Sequence, residues 1–339
     1  MSRNRTNAKG SARAVAIGVD LGGTSVRVAA IDDEGALLER FAAPSRAGTP
    51  DEVLDVACRA IDELAKLHSG ATRPLVGVGV AGILDASSGV LVEAPSLPGW
   101  SGLDVRAALE HRLEKRFVMD NDANLGALGE AWCGAARGAD NVCMLTLGTG
   151  IGGGWIHEGR PFRGMTGMAA EFGHMTVQRE GLPCRCGGRG CLEQYASASA
   201  VERMARATPA LTEALADAPS GGVARHVHTL ALRGISEARR IFEEVGAALG
   251  VGLAALVNAL NLPIYVVGGG LSAAWEMFAP ALFRELRERS FVYRATEPRE
   301  GLALARTTRI VPASFPADAG LFGAARLALL EAESRQAHA

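Results

Sequence analysis

Short apolar runs alternate along the chain with longer stretches in which apolar residues return every three or four positions. Residues 15–19 and 26–31 are apolar runs of strand length on either side of Asp20-Leu21-Gly22-Gly23-Thr24, so they predict a β-hairpin with a glycine tip. Over 51–68, Val53, Leu54, Ala57, Ile61, Leu64, Ala65 and Leu67 fall near helical spacing, and 75–80 follow as a buried strand. Residues 102–116 predict another amphipathic helix feeding a short strand at 117–119. A helical stretch then runs from Asn121-Asp122 to about 136.

The opening pattern returns at this point. Residues 142–147 predict a strand, Gly148-Thr149-Gly150-Ile151-Gly152-Gly153-Gly154 a glycine tip, and Trp155 the start of a second strand. Displacing the sequence by 126 positions, from 22 to 148, lays Gly22 on Gly148, Leu21 on Leu147 and Asp20 on Thr146. Two copies of strand, glycine turn and strand imply an internal duplication. A long helix over 236–260, a strand over 264–267 ending in Gly268-Gly269-Gly270, and a terminal helix over 317–333 complete an α/β pattern.

With 339 residues, two domains sharing a cleft are expected. Hydrophobic residues make up 48% and charged residues 21%, a globular composition, and no apolar run approaches the roughly 20 residues of a membrane span. The 35 basic and 37 acidic residues leave a net charge of −2, hence no bulk attraction to nucleic acid or anionic lipid. Residues 1–13 are polar and basic, with Arg3, Arg5, Lys9 and Arg13, and are expected to form a disordered tail. The apolar stretch after them stops at Asp20, too short for a secretory segment, so the expected location is the cytoplasm.

The glycine tips carry the first candidate chemistry. Gly148, Gly150 and Gly153 spell a dinucleotide fingerprint, but they open a strand where that motif must open a helix. A Walker loop fails too, because none of Lys9, Lys66 and Lys115 follows a glycine or precedes Ser or Thr. Two readings stand: glycines that simply make hairpin turns, or bare main-chain amides gripping a polyphosphate from two sides. Asp20, beside the first tip, is either a turn cap or a carboxylate that holds Mg²⁺ through water. Asp122 is either a helix N-cap or a base that accepts the proton of an attacking hydroxyl, with Asn121 orienting the same substrate.

His174 and the run Cys184-x-Cys186-x₄-Cys191 offer one imidazole and three thiolates, a closed tetrahedral set for a structural zinc. A reducible disulfide or a chance cluster is the alternative. Glu171 and Glu193 flank the cluster, where a rigid metal loop would present two carboxylates to vicinal hydroxyls. His174 would add its second ring nitrogen.

At these residues the chain closely resembles the ROK family of sugar kinases, within the actin-like and Hsp70-like superfamily. The resemblance rests on Asp20-Leu21-Gly22-Gly23-Thr24, Asn121-Asp122-Ala123-Asn124, Leu147-Gly148-Thr149-Gly150-Ile151-Gly152, Glu171-Phe172-Gly173-His174 and the segment Cys184 to Glu193. It implies a two-lobed actin-like (ASKHA) α/β fold with duplicated sheets and a central cleft. The lobes would span 14–120 and 121–313, with a zinc loop at 174–193 and a final segment, 314–339, returning to the small lobe. It implies an ATP- and Mg²⁺-dependent hexokinase acting on the 6-hydroxyl of glucose, or of another sugar such as N-acetylmannosamine, N-acetylglucosamine, fructose or mannose. Asp122 would be the base, and Asn121, Asp122, Glu171, His174 and Glu193 the sugar contacts. Gly22, Gly23, Thr24, Gly148, Thr149 and Gly150 would hold phosphate, with adenosine near Gly268, Gly269 and Gly270. Zinc would sit on His174, Cys184, Cys186 and Cys191, and the partner would be a second copy of the chain.

The family also holds sugar-responsive repressors that carry an N-terminal helix-turn-helix domain; with about 13 residues before the first strand, that reading is the less expected alternative. Three positions depart from the family pattern. Ser25 stands where lysine is frequent, Ser96 where asparagine is common, and Ala170 where glucokinases usually have glycine.

Overall fold

The structure, a computed structural model, describes residues 14–45, 48–68, 74–216, 218–219 and 221–337. The expected tail, 1–13, lies outside these residues. β1 (Val15–Leu21), β2 (Ser25–Asp32) and β3 (Leu37–Pro44) form an antiparallel meander. α1 (Pro50–Leu67) then leads to β4 (Leu75–Val80), parallel to β1. β5 (Ile83–Asp85) and β6 (Val90–Glu93) make a separate ribbon, and α2 (Val105–Leu113) leads to β7 (Phe117–Asn121), which closes the order β3-β2-β1-β4-β7.

α3 (Asp122–Cys133) connects to a second sheet with the same connectivity. β8 (Val142–Leu147), β9 (Ile151–His157) and β10 (Arg160–Pro161) are its meander. A helical insertion follows: α4 (Glu193–Ala196), α5 (Ala198–Arg206), α6 (Val223–Leu232) and α7 (Ser236–Leu260). Beyond it come β11 (Ile264–Gly268), α8 (Trp275–Arg289), α9 (Phe291–Thr296), β12 (Arg309–Pro312) and α10 (Ala319–Ala337), giving the order β10-β9-β8-β11-β12. The antiparallel pair with a glycine tip and the two parallel strands beyond it recur strand for strand. The duplication inferred from one pair of hairpins extends to both whole sheets.

β1 and β4 read as continuous apolar runs because both faces of the sheet are covered. α1 packs Val53, Leu54, Ile61 and Leu64 against Ile17, Val19 and Val78 on one face. The helix is started by a capping box between Thr49 and Glu52, with Pro50 in its first turn. α7 does the same for the second sheet, setting Phe242, Val245, Leu249 and Leu253 against Leu145, Tyr265 and Val267. α7 also corrects an expectation: it is long and apolar enough to cross a membrane by length and composition, so a run of that length exists. Most of its apolar window, 61%, is buried inside the fold.

Between the two sheets lie α10 and α3. One side of α10 meets Ala16, Ala29 and Ile31 of the first sheet through Leu321, Ala325 and Leu329, while Ala324 and Leu327 join Leu125 and Leu128 of α3 and Met144 of the second. The approach to the first sheet is backbone on backbone. A Cβ at Gly18 or Gly77 would overlap the carbonyl oxygen of Leu321 or Ala324, so glycine is required where α10 crosses β1 and β4.

Several expected boundaries move: the helix expected over 102–116 spans 105–113, the one expected to reach about 136 ends at 133, and the terminal helix expected over 317–333 spans 319–337. Trp155 does not start β9; the strand begins at Ile151, with Leu147 opposite Ile151 and Thr146 opposite Gly152, so the tip is residues 148–150 alone. Gly153 and Gly154 belong to the strand, opposite Leu145 and Met144, and are glycine there because a Cβ at either would overlap backbone that crosses it, the Ala170 carbonyl over Gly153 and the Ala123 carbonyl over Gly154.

Candidate active site

Both glycine tips adjoin residues near the start of α3: Asp20, beside the first, acts on the Asp122 carboxyl, and a Cβ at Gly152, just past the second, would lie 3.1 Å from Ala123 Cβ. Neither tip needs glycine for its dihedrals, since Gly22, Gly23, Gly148 and Gly150 are absent from the left-handed region. Space explains only two of them, because a Cβ at Gly22 or Gly148 would meet nothing closer than 3.4 Å. A Cβ at Gly23 would overlap the Ser96 carbonyl, and one at Gly150 the Glu193 carboxylate. The carbonyls of both tips are turned into protein donors: Ser45 Oγ donates to Gly22 O at 2.7 Å, and Ser45 N to Thr24 O at 3.1 Å. In the second tip Ala198 N donates to Gly148 O at 2.8 Å, and Ser199 Oγ to Thr149 O at 2.7 Å. Two tip amides are engaged as well, Gly22 N donating to Ser25 O at 3.1 Å and Gly148 N to Gly150 O at 2.9 Å, so an anion would be held by amides of the other tip residues.

Asn121, not Asp122, is the N-cap of α3. Its Oδ1 accepts from Ala123 N at 2.8 Å and Asn124 N at 3.2 Å, while Nδ2 donates to Gly82 O at 2.8 Å. Asp122 is thereby released from capping and stands as the first helical residue, partly buried, with Oδ1 accepting from Ala123 N at 2.9 Å. Burial and then the nearby Asp20 carboxylate push its carboxyl up to about 7; the Ala123 amide and Arg27 pull the other way. A carboxyl that releases its proton near neutrality is suited to general-base work.

Asp20 is buried and paired across the hairpin with Arg27, which also donates to the Ala317 carbonyl and lies 3.4 Å from Asp318. Burial raises the Asp20 carboxyl against the lowering effect of Arg27. Gly320, in the first turn of α10, is close enough that a Cβ would lie 3.4 Å from Asp20 Oδ2 and 3.9 Å from the Asp122 carbonyl. The two carboxylates, the first tip and the start of α10 therefore converge.

Glu193, the first residue of α4, reaches the second tip. Its Oε2 accepts from Ile151 N at 2.9 Å, directly beyond the second tip. Glu171 precedes a 3-10 turn over Phe172–His174; desolvation raises its carboxyl, His174 opposes that shift and Glu193 reinforces it, so the three groups form one electrostatic cluster. Ala170 holds φ at +68°, the left-handed region, which gives a steric reason for glycine at this position.

The ligand atoms of His174, Cys184, Cys186 and Cys191 all lie within 4.8 Å of one another. Cys184 Sγ is 3.7 Å from His174 Nδ1, and Cys186 Sγ is 3.7 Å from Cys191 Sγ. Zinc–sulfur bonds of about 2.3 Å in a tetrahedron set sulfur atoms about 3.8 Å apart, and a disulfide would need about 2.05 Å, so the donors fit a tetrahedral zinc. Left-handed Gly187 and Gly190 turn the loop back on itself, and Gln194 Nε2 donates to Cys184 Sγ at 3.5 Å. Because Nδ1 faces the thiols, Nε2 of His174 is the nitrogen left for another partner.

Gly268 ends β11. Gly269 has φ +82° and presses on the backbone of Leu147, where a Cβ would lie 2.5 Å from its carbonyl oxygen. Among the described residues, no atom would come within 4 Å of a Cβ at Gly270, so neither dihedral nor neighbour explains that glycine.

Two residues of the site are not visible in the motifs. Asp120 is buried, its Oδ1 accepting from Asn121 N at 2.8 Å and Asn124 Nδ2 at 2.9 Å, and its Oδ2 from Arg163 Nε at 2.8 Å and Nη2 at 2.7 Å. The run Asp120-Asn121-Asp122 hints at the first. Nothing in the sequence pairs it with Arg163, 43 positions away.

A model of the ROK family matches residues 16–331. A glucokinase of Thermotoga maritima is 35% identical over 316 residues, covering 92% of this chain and 96% of the relative. A xylose repressor of Caldicellulosiruptor bescii is 28% identical, over 81% of this chain and 71% of that protein. The crystal structure of a ROK family glucokinase from Streptomyces griseus, in complex with glucose and AMPPNP, superposes with a TM-score of 0.76 at 34% identity, covering 93% of this chain and 99% of that one. Duplicated sheets, paired glycine tips and these likenesses along nearly the whole length agree: the chain belongs to the ROK family.

Proposed function

We propose that this sugar kinase is an ATP-dependent glucokinase that transfers the γ-phosphoryl group to the 6-hydroxyl of glucose, with Asp122 as general base. The observation that carries the reading is the state of Asp122: freed from capping by Asn121, set close to the Asp20 carboxylate beside the first glycine tip, and with a carboxyl pushed up to about 7. The S. griseus glucokinase, bound to glucose and AMPPNP, supports both substrates.

In this mechanism Asn121, Glu171, His174 Nε2 and Glu193 hold the sugar hydroxyls. Asp122 accepts the hydroxyl proton as the oxygen attacks phosphorus, contributing about 10² to 10⁴ in rate. Most of the remaining acceleration is alignment and charge neutralisation. Gly22, Gly23 and Thr24 face the phosphates from one side and Gly148, Thr149 and Gly150 from the other. The open space at Gly270 suits the adenosine end, beside Gly268 and Gly269. Asp20 is the carboxylate that would hold Mg²⁺, which when bound neutralises the phosphate oxygens. His174, Cys184, Cys186 and Cys191 would hold a structural zinc that fixes the loop between Glu171 and Glu193. The cleft lies between lobes of 14–120 and 121–313, with 314–339 returning to the first, and the working form is a cytoplasmic homodimer.

A coupled assay across glucose, mannose, fructose, N-acetylglucosamine and N-acetylmannosamine, each with ATP and with polyphosphate, tests this. Glucose with ATP is expected to give the highest kcat/KM. Faster turnover of another sugar would overturn the substrate assignment, and hexose binding without phosphoryl transfer would favour a sugar sensor.

A further inference from the structure

We infer that Arg163 is a positioning residue that staples the sugar-facing loop, 162–171, to the segment bearing the base, with buried Asp120 as the shared anchor. This rests on the kinase reading above. The loop runs from β10 to the 3-10 turn and carries Ala170 and Glu171 at its end. Its apolar anchors lie only at its ends, where Phe162 meets Trp155 at a tilt, with ring centroids 4.3 Å apart, and Ala170 packs on the second-sheet core; between them Met165 is 98% exposed and Met168 45%. Its mouth is pinched by Ala169 N donating to Arg163 O at 3.2 Å. At its tip Gly167, with φ +81°, lies over the Leu84 carbonyl of the small ribbon, where a Cβ would be 3.0 Å away.

Against that sparse packing stands one strong polar connection. Asp120 is 2% exposed and takes four donors, two from Arg163 and two from the residues that begin α3. A buried carboxylate satisfied in this way is rigid, and it is costly to leave unpaired. The same side chain therefore fixes the Asn121 backbone on one oxygen and the loop on the other. Glu171 is registered to Asp122 through Asp120 and Arg163, whose guanidinium pairs with Asp120 rather than with a proposed sugar ligand.

The sugar side should fail first if the staple is cut, because the base segment retains its own cap. In Arg163→Ala the hexose KM should rise about tenfold to a hundredfold, the scale of a misplaced positioning group. The ATP KM should change less than about twofold and kcat less than the hexose KM. Arg163→Lys keeps a cation on Asp120 but loses the planar guanidinium, so it should recover part of the effect. Hydrogen exchange at amides 164–171 should quicken in Arg163→Ala.

A folded Arg163→Ala protein with hexose KM within about twofold of the unsubstituted chain and unchanged exchange over 164–171 would overturn the staple. Should Arg163→Ala fail to fold, Arg163→Lys carries the same comparison, and an unchanged hexose KM with unchanged exchange there would overturn it as well. A wild-type chain that phosphorylates no hexose would sink the kinase reading instead, and the exchange arm alone would then decide the staple.

Discussion

Replacing Asp122 with asparagine should abolish turnover and stabilise the protein at the same time. The carboxyl releases its proton near 7 in the fold, against 3.8 for an ordinary aspartate. At about 1.4 kcal/mol per pH unit, its ionised form carries a penalty of a little over 4 kcal/mol, arising from burial and from the neighbouring Asp20. Asp122 remains partly open to solvent, so we expect about half of that, roughly 2 kcal/mol, in an unfolding experiment. The sign follows from the proton. A raised carboxyl binds it more tightly in the folded state, so stability is highest at low pH, falls as pH climbs from about 4 to about 7, and is level above that.

The side chain in Asp122→Asn would carry no charge while still offering an oxygen to Ala123 N, so the gap between variant and parent should open across that window. Denaturant unfolding near pH 5 and pH 8 reads it, and a coupled assay from about pH 5.5 to pH 8.5 reads the matching acid limb, with the parent's rate falling about tenfold per pH unit below 7. Equal or lower stability of Asp122→Asn near pH 8, or a flat parent rate down to pH 5.5, would refute the reasoning.

Metal analysis of purified protein should find about one zinc per chain, and Cys186→Ser should lower both the unfolding temperature and the glucose affinity; unchanged affinity would separate the metal loop from Glu171 and Glu193. Ala170→Gly relieves a left-handed alanine at φ +68°, worth about 1 kcal/mol before the extra freedom of an unfolded glycine is subtracted. The urea midpoint should rise slightly, and a clear fall would show that the alanine methyl packs usefully.

Residues close in sequence are the legible ones. Both glycine tips, the Asn-Asp pair and the His-Cys cluster each lie within one short segment, and the helix over 236–260 matches α7 because its apolar residues repeat at helical spacing. What escapes depends on approach from far along the chain. The need for glycine at Gly153 and Gly154 is set by Ala170 and Ala123 crossing over them, and a run of glycines looks the same in a turn. Asp122 is as good a cap as its neighbour by residue type, and only the folded backbone has Asn121 holding both amides. β3 carries mostly exposed residues and lacks an alternating pattern, so only its pairing with β2 reveals it.

The placement of α10 has a consequence for the chain as it is made. The inner face of β1, complete after the first few dozen residues, is covered by Leu321 and Ala325, about 300 residues later. At 5–20 residues per second, translation leaves that face bare for about 15 to 60 s. The nascent first sheet, greasy on one side and glycine-lined, is during that interval a natural client for a chaperone, and final locking of the molecule waits on its last helix.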